Sequence, residues 1–384
     1  MTEFRFGTPG DIRFGAGLGS FAEADLAADL GPRILMITDP GLTALGLTRP
    51  AIVNLSQKAA VTVFDAVEPD PSLGTLAAAV AAGKSAEATG VIGFGGGSSM
   101  DVAKLAALLL GRPQELAASW GVGLASGPGL PLVQVPTTAG TGSEVTAVSI
   151  ITVAGDEKRG VVSSHLLARR AVLDPDLTLG LPAPATAATG IDAMVHAIEA
   201  YTSTSPANNP LSRMLAKEAL AKLGGHIETA VADGQHRTAR AEMLYGAMLA
   251  GQAFANSPVA AVHALAYTIG GFFHIPHGLS NALVLTEVLR FNLSAAAEAY
   301  ATLGPCAFPD LPRGRAPETA EAFIAALGAL SARLGLPPRL RDVGIPADAL
   351  GDMASAAMKQ TRLLVNNPRT VTEADARGIY EAAW

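Results

Sequence analysis

The chain has one cysteine, Cys306, among its 384 residues. No intramolecular disulfide and no thiolate zinc cluster can be built from it, so any bound metal must be held by histidine and carboxylate. Charge is scarce as well: Asp, Glu, Lys and Arg make up 16% of the chain, against about 25% in an average soluble protein. With 49% hydrophobic residues, extensive disorder is excluded and much of the chain must be buried in domain interiors or subunit contacts. Basic residues are outnumbered, 27 against 34 acidic ones, for a formal net charge of −7, which opposes the phosphate neutralisation that nucleic-acid binding requires. No uninterrupted run of about 20 apolar residues is long enough to span a bilayer. The one long stretch without Asp, Glu, Lys or Arg, Met243 to Thr286, carries His263, His274, His277, Asn256 and Asn281 and is broken by Pro258, Pro276 and Gly270-Gly271. It reads as a buried polar site. The lone cysteine and the missing signal peptide lead to the expectation of a cytoplasmic protein.

At roughly 150 residues per domain, the length allows two or three domains. Short β-rich runs alternate with Ala- and Leu-rich helical stretches through the first half: Arg33 to Thr38, Val61 to Phe64, Val91 to Phe94 and Leu132 to Val135 read as strands, and Leu76 to Ala82 and Ser99 to Leu110 as helices. This is the pattern of helices packed on a mostly parallel sheet, whose ligands bind beyond the carboxyl ends of the strands. Val148 to Val153 and Gly160 to Ser163 form a hairpin about the Gly155-Asp156 turn, and Ala171 to Leu173 adds a short strand. From Pro182 onward nearly everything follows the helical period. The expected division is an α/β domain at 1–182 and an all-helical domain at 183–384.

Two glycine-rich turns carry chemistry. Gly93 to Asp101 (GFGGGSSMD) follows a strand and opens a helix, the place where free N–H groups and the helix dipole receive a phosphate. It matches G-x-G-x-x-G only in part and lacks the Gly-Lys-Ser/Thr of a nucleotide-hydrolysing loop, and an ordinary capped strand-to-helix turn is the plain alternative. Pro136 to Glu144 (PTTAGTGSE) presents hydroxyls and backbone donors after the Leu132 to Val135 strand. Asp39 is either an acceptor for a ribose hydroxyl, in which case its charge disfavours NADP, or simply the first residue of an Asp-Pro-Gly turn.

Asp192 and His196 stand at i and i+4 on one helical face and can share an ion. A second helix, beginning with Ser257 as N-cap and Pro258 at its first position and stopping at Gly270-Gly271, carries His263 and Tyr267. Pro276 and His277 open a third. Taken singly, a histidine on an apolar helix is more often a hydrogen-bonded core residue than a ligand. Three histidines within one uncharged stretch favour ligation, since burying them without a function is costly.

These segments resemble the iron-containing, group III alcohol dehydrogenases: Ile37 to Gly41, Gly95 to Asp101, Pro136 to Glu144, Ala188 to Tyr201 (ATGIDAMVHAIEAY), His263 through Asn281, and Asn367-Pro368-Arg369 occur in the family's order over nearly the whole chain. The resemblance implies a Rossmann-like dinucleotide-binding domain, an all-α metal-binding domain, and a cleft between them where NAD(P) meets the metal and an alcohol or aldehyde. By position, Asp192, His196, His263 and His277 match the metal ligands. Asp39, Gly96, Gly97, Ser98, Asp101, Thr137, Thr138, Thr141 and Lys158 match cofactor contacts. The chain departs from many members at Tyr267, where they have a second histidine, and at His274, where Asn or Asp is more usual; either residue is a candidate proton relay, and Tyr267 is equally a packing residue.

The resulting expectation is a homo-oligomeric (dimeric or larger) oxidoreductase passing hydride between NAD, in preference to NADP, and a small alcohol or carbonyl compound at a divalent ion, Fe²⁺ ahead of Zn²⁺. Alternatives within reach are a maleylacetate-type reductase, a hydroxyacid-oxoacid transhydrogenase, and, in the related fold, a zinc polyol dehydrogenase or a cyclising lyase. A metal-dependent hydrolase and a non-catalytic NAD-binding subunit are more distant. Lys359, Arg362 and Arg369 form a basic cluster that is either a subsite for an anionic substrate or a solvated face.

Overall fold

The structure, a computed structural model, describes residues 3–22, 26–112, 114–153 and 158–384. Its contacts divide the chain into two compact units, one of Gly7–Leu179 and one of Gly180–Trp384 together with the described residues up to Phe6.

In the first unit the strands are β1 (Asp11–Phe14), β2 (Arg33–Ile37), β3 (Ala60–Phe64), β4 (Gly90–Gly95), β5 (Gly121–Val122), β6 (Leu132–Pro136), β7 (Val148–Thr152), β8 (Lys158–Val162) and β9 (Arg170–Leu173). The helices between them are α1 (Leu26–Leu30), α2 (Pro40–Ala44), α3 (Arg49–Leu55), α4 (Leu73–Ser85) and α5 (Gly97–Gly111). Six strands form one sheet in the order β1-β9-β6-β4-β2-β3, every pair parallel. The apolar runs RILMI and GVIGFG are buried along almost their whole length because helices cover both faces, as parallel sheets demand. On one face Leu35, Ile37, Val91 and Leu105 pack in a common core; on the other, Ile34, Met36, Ile92 and Phe94 do.

The chain runs from β2 outward to β3 and then returns to the opposite side of β2 for β4, so the strand order reverses between β2 and β4. Ligands of open α/β sheets bind at such a reversal, beyond the carboxyl ends. Here the ends of β2, β4 and β6 are neighbours, with Ile37 level with Gly93 and Gly95 level with Pro136.

The expected hairpin is present: β7 and β8 pair antiparallel from Val148↔Val162 to Thr152↔Lys158, and its Gly155-Asp156 turn lies outside the described residues. Two strands carry too little apolar signal to be expected. β5 is only two residues long, and β1, DIRF, is a half-exposed sheet edge whose last two residues face solvent.

The second unit contains only helices among its described elements: α6 (Ala183–Thr202), α7 (Pro210–Ala232), α8 (Arg237–Ala255), α9 (Ala261–Phe273), α10 (His277–Ala307), α11 (Ala316–Arg333), α12 (Leu350–Ala357), α13 (Thr361–Leu364) and α14 (Glu373–Ala383), with short 3₁₀ turns. α6 is enclosed, with fourteen buried residues from Thr186 to Ala200. Gly190 is there because a β-carbon would stand 2.6 Å from Ile227 Cδ1 and 2.8 Å from Met243 Cε, so its absence lets α7 and α8 close on α6.

The expected start of the second metal-site helix needs correction. α9 begins at Ala261, not at Pro258, because the Ser257 hydroxyl donates 2.6 Å to Ala200 O instead of capping. Nor does the helix stop at Gly270-Gly271. It continues to Phe273 and ends with His274 in the left-handed conformation, φ 54°, where its N–H reaches Gly270 O at 3.0 Å.

Candidate functional site

Asp192 and His196 project from the same face of α6, one turn apart, while His263 comes from α9 and His277 is the first residue of α10. From Asp192 Oδ1, the Nε2 atoms of His196, His263 and His277 lie at 4.0, 3.8 and 3.7 Å. Ligands about 2.1 Å from a tetrahedral ion stand about 3.4 Å apart; the three distances from Asp192 Oδ1 exceed this by a few tenths of an ångström, and among the described residues the group whose ligating atoms all fall within 4.8 Å of one another is Asp192, His196 and His263, with His277 beside it. The donor set, three imidazoles and one carboxylate, suits iron or zinc.

Burial works against ionisation of Asp192, but His196, His277, His263 and an Asn281 amide bond outweigh it and hold the carboxyl below its ordinary range. Asp192, His196 and His263 are buried, whereas the His277 side chain keeps 31% of its exposure. The cluster is thus buried at Asp192, His196 and His263 and reaches the surface at His277.

Three neighbours complete the cluster; the sequence pattern marks Asn281 only as a polar residue of the uncharged stretch and singles out neither Phe254 nor Glu199. Phe254 on α8 stacks on His196 with ring centroids 4.3 Å apart. Asn281, one turn beyond His277, donates 2.6 Å to Asp192 Oδ1. Glu199 is buried on α6 and accepts from His263 Nδ1 at 2.7 Å, Val262 N at 2.7 Å and Ala260 N at 3.0 Å. A signal for Glu199 was available: with Asp192 and His196 it completes an i, i+4, i+7 stripe on one helix face. Of the two relay candidates, Tyr267 is half-buried with its ring 5.7 Å from that of His277, and His274 is exposed at the end of α9.

In the first unit, Asp39, the α5 N-terminus and the Pro136 to Glu144 turn follow β2, β4 and β6 respectively. Asp39 does cap α2, accepting from Leu42 N at 3.0 Å through Oδ1. α5 has Gly96 as N-cap and no side-chain cap, which leaves its first N–H groups facing the turn. Gly97 is needed there because a β-carbon would meet Thr141 Cγ2 at 2.9 Å. Ser98 and Thr138 are half-buried beside it, and Thr137 is buried.

The Asp101 carboxylate accepts from Ser143 Oγ at 2.7 Å and Ile150 N at 2.8 Å, tying α5 to the turn and to β7. Below it the fully buried Lys104 donates to Ser143 Oγ, Thr146 Oγ1 and Val148 O at 2.7, 3.0 and 2.6 Å. Burial raises Asp101 and lowers Lys104, each opposed by the other's charge, and pushes Glu144 up to about 7. Lys158 pairs with Asp70 at 2.5 Å. Of the C-terminal basic residues, Arg369 lies over the Phe291 ring, 4.0 Å from its centroid, and donates to Phe291 O, while Lys359 and Arg362 are exposed.

Residues 9–175 match the iron-containing alcohol dehydrogenases, and residues 186–384 match the C-terminal part of the Fe-containing alcohol dehydrogenase family. The chain is 40% identical over 362 residues to long-chain-alcohol dehydrogenase 1 of Geobacillus thermodenitrificans, covering 91% of this chain and 89% of that protein. It superposes on the crystal structure of a 1,3-propanediol oxidoreductase with a TM-score of 0.95 at 33% identity, over 100% of both chains. It also superposes on the NAD⁺ complex of sulfoacetaldehyde reductase from Bifidobacterium kashiwanohense, TM-score 0.87 at 27% identity, over 100% of this chain and 99% of that one. The chain belongs to the iron-containing alcohol dehydrogenase family. It is therefore a metal-dependent alcohol dehydrogenase or aldehyde reductase, and a hydrolase or a purely structural role is set aside.

Proposed function

We propose that this protein is an NAD-dependent dehydrogenase of small alcohols, reversible toward the aldehyde, with Fe²⁺ held by Asp192, His196, His263 and His277. The observation that carries the reading is the convergence of three imidazole Nε2 atoms, of His196, His263 and His277, 3.7 to 4.0 Å from Asp192 Oδ1, in a chain of this family. When bound, the ion supplies Lewis acidity toward the substrate oxygen and NAD accepts the hydride.

The protein's own residues do the rest. Residues 1–182 form the dinucleotide-binding domain and 183–384 the catalytic one. Gly96, Gly97 and Ser98 offer backbone and hydroxyl donors to the diphosphate at the α5 N-terminus. Thr137, Thr138 and Thr141 add hydroxyls from the adjacent turn, Asp101 holds that turn at the cofactor, and Lys158 contributes the cation. Asp39 uses one oxygen on Leu42 N; the other is left for a ribose hydroxyl, and its charge repels the additional phosphate of NADP. Tyr267 Oη exchanges the substrate proton with solvent, while His274 serves from the exposed rim. The low charge fraction, with Phe14 and Leu18 exposed at and beside the β1 edge, favours a homodimer. None of the described helices is long and apolar enough to cross a membrane, and the single cysteine suits a reducing cytoplasm.

The test is an anaerobic panel of primary alcohols, polyols and hydroxy acids with the Fe²⁺- and Zn²⁺-loaded protein, following NADH absorbance. Turnover of primary alcohols with NAD, highest with iron, is expected. Turnover confined to hydroxy acids, or equal with either ion removed, would reject the reading.

A further inference from the structure

Glu199 makes three hydrogen bonds and each bears on the metal centre. It is buried on α6, three residues after His196, and its partners are all on or just before α9: Ala260 N and His263 Nδ1 at Oε2, Val262 N at Oε1. Both oxygens therefore already accept a backbone N–H, so the proton of the third contact belongs to His263 Nδ1. A neutral imidazole that donates from Nδ1 presents the lone pair of Nε2, and Nε2 is the atom that stands 3.8 Å from Asp192 Oδ1.

The same carboxylate also replaces a missing cap. α9 starts after Ala260, whose side chain cannot accept a hydrogen bond, and Ser257 is engaged with Ala200 O. Glu199 takes two N–H groups at that helix end, those of Ala260 and Val262, where a negative charge also meets the positive end of the helix dipole.

We infer that Glu199 is the positioning residue of the metal centre: through one buried carboxylate it sets the tautomer and ring orientation of His263 and fixes the start of α9 against α6, the helix that supplies Asp192 and His196. This rests on the metal-centre reading given above. Partners that orient a ligating histidine in this way commonly change metal affinity 10- to 100-fold when removed.

In Glu199→Gln, an amide NH₂ must face either a backbone N–H or His263 Nδ1, so the arrangement is broken with little change of shape. Co²⁺ titrated into metal-free protein in competition with a chelator should bind the variant about 10- to 100-fold more weakly, with an altered visible spectrum of the ion. His263→Ala is measured in parallel. If His263→Ala binds Co²⁺ with the parent's affinity and spectrum, the metal-centre reading itself is wrong. If His263→Ala loses the ion but Glu199→Gln keeps both parental affinity and spectrum, the role given to Glu199 is overturned.

A second measurement needs no variant of Glu199. In the metal-free parent at pH 8, imidazole ¹⁵N spectra should show His263 protonated at Nδ1 and bare at Nε2, its signals assigned by their loss in His263→Ala. A proton on Nε2 instead would refute the proposal even if Glu199→Gln failed to fold.

Discussion

Lys104 is the residue on which the turns after β4 and β6 are expected to depend most. Its ammonium is fully buried, donates to Ser143 Oγ, Thr146 Oγ1 and Val148 O, and stands 3.6 Å from Asp101 Oδ1. Lys104→Met keeps the length and the apolar stem and removes only the charge and its bonds. Two effects then compete. The cost of desolvating the ammonium disappears, but Asp101 and Glu144 lose their buried countercharge and Val148 O loses its donor. Removing one partner of a buried pair typically costs about 3–5 kcal/mol. The lower figure applies here, because Asp101 keeps the bonds from Ser143 Oγ and Ile150 N. In a unit of roughly 170 residues, each kcal/mol lowers the melting temperature by about 2–4 °C, so a fall of roughly 6–12 °C is expected. Scanning calorimetry of the parent, Lys104→Met, Asp101→Asn and the double variant is the assay. The double variant should recover part of the loss, since it leaves no uncompensated charge at Asp101. A single variant melting within roughly 1 °C of the parent, a shift worth well under 1 kcal/mol, would refute the reasoning.

Three further outcomes are expected. Glu144 has a folded pKa of about 7, raised by burial from 4.5, so the folded state holds the proton more tightly and stability is lost as pH rises from the unfolded value through about 7. Glu144→Gln should therefore gain on the parent by up to about 3 kcal/mol across that window, and parallel Tm-against-pH curves would refute it. Asp39→Gly should narrow the preference for NAD over NADP in kcat/KM; a parent that already prefers NADP would contradict the role of Asp39. In Gly278→Ala, a β-carbon would fall 2.4 Å from Ala188 O, backbone that cannot yield, so α10 and His277 must shift. Weaker metal retention and about 1–3 kcal/mol of lost stability are expected from such overpacking, measured by chelator competition and thermal melts.

Much of this protein is written in local pattern. Continuous apolar runs such as RILMI and GVIGFG could only be strands covered on both faces, and the glycines after β4 announced a backbone approached closely by a ligand or neighbour. Asp192 and His196 were legible because a helix places i and i+4 together whatever surrounds it. His263 and His277, fourteen residues apart on different helices, could be joined to them only by residue type, by the uncharged stretch and by family resemblance, since no local period relates them. The start of α9 departs from local pattern for a physical reason: Ser257-Pro258 has the local chemistry of a helix start, but the helix end is capped by Glu199, some sixty residues earlier in the chain. His274 likewise ends α9 in a conformation that usually calls for glycine, and nothing beside it in the chain announces this. Strand order, and with it the reversal between β2 and β4 that brings Asp39 and Gly96 to one sheet edge, is a property of pairing between distant segments. Composition and period determine which segments become strands and helices and which residues are fit to bind; which of them meet, and which distant side chain satisfies each buried donor, is decided only when the helices and strands pack.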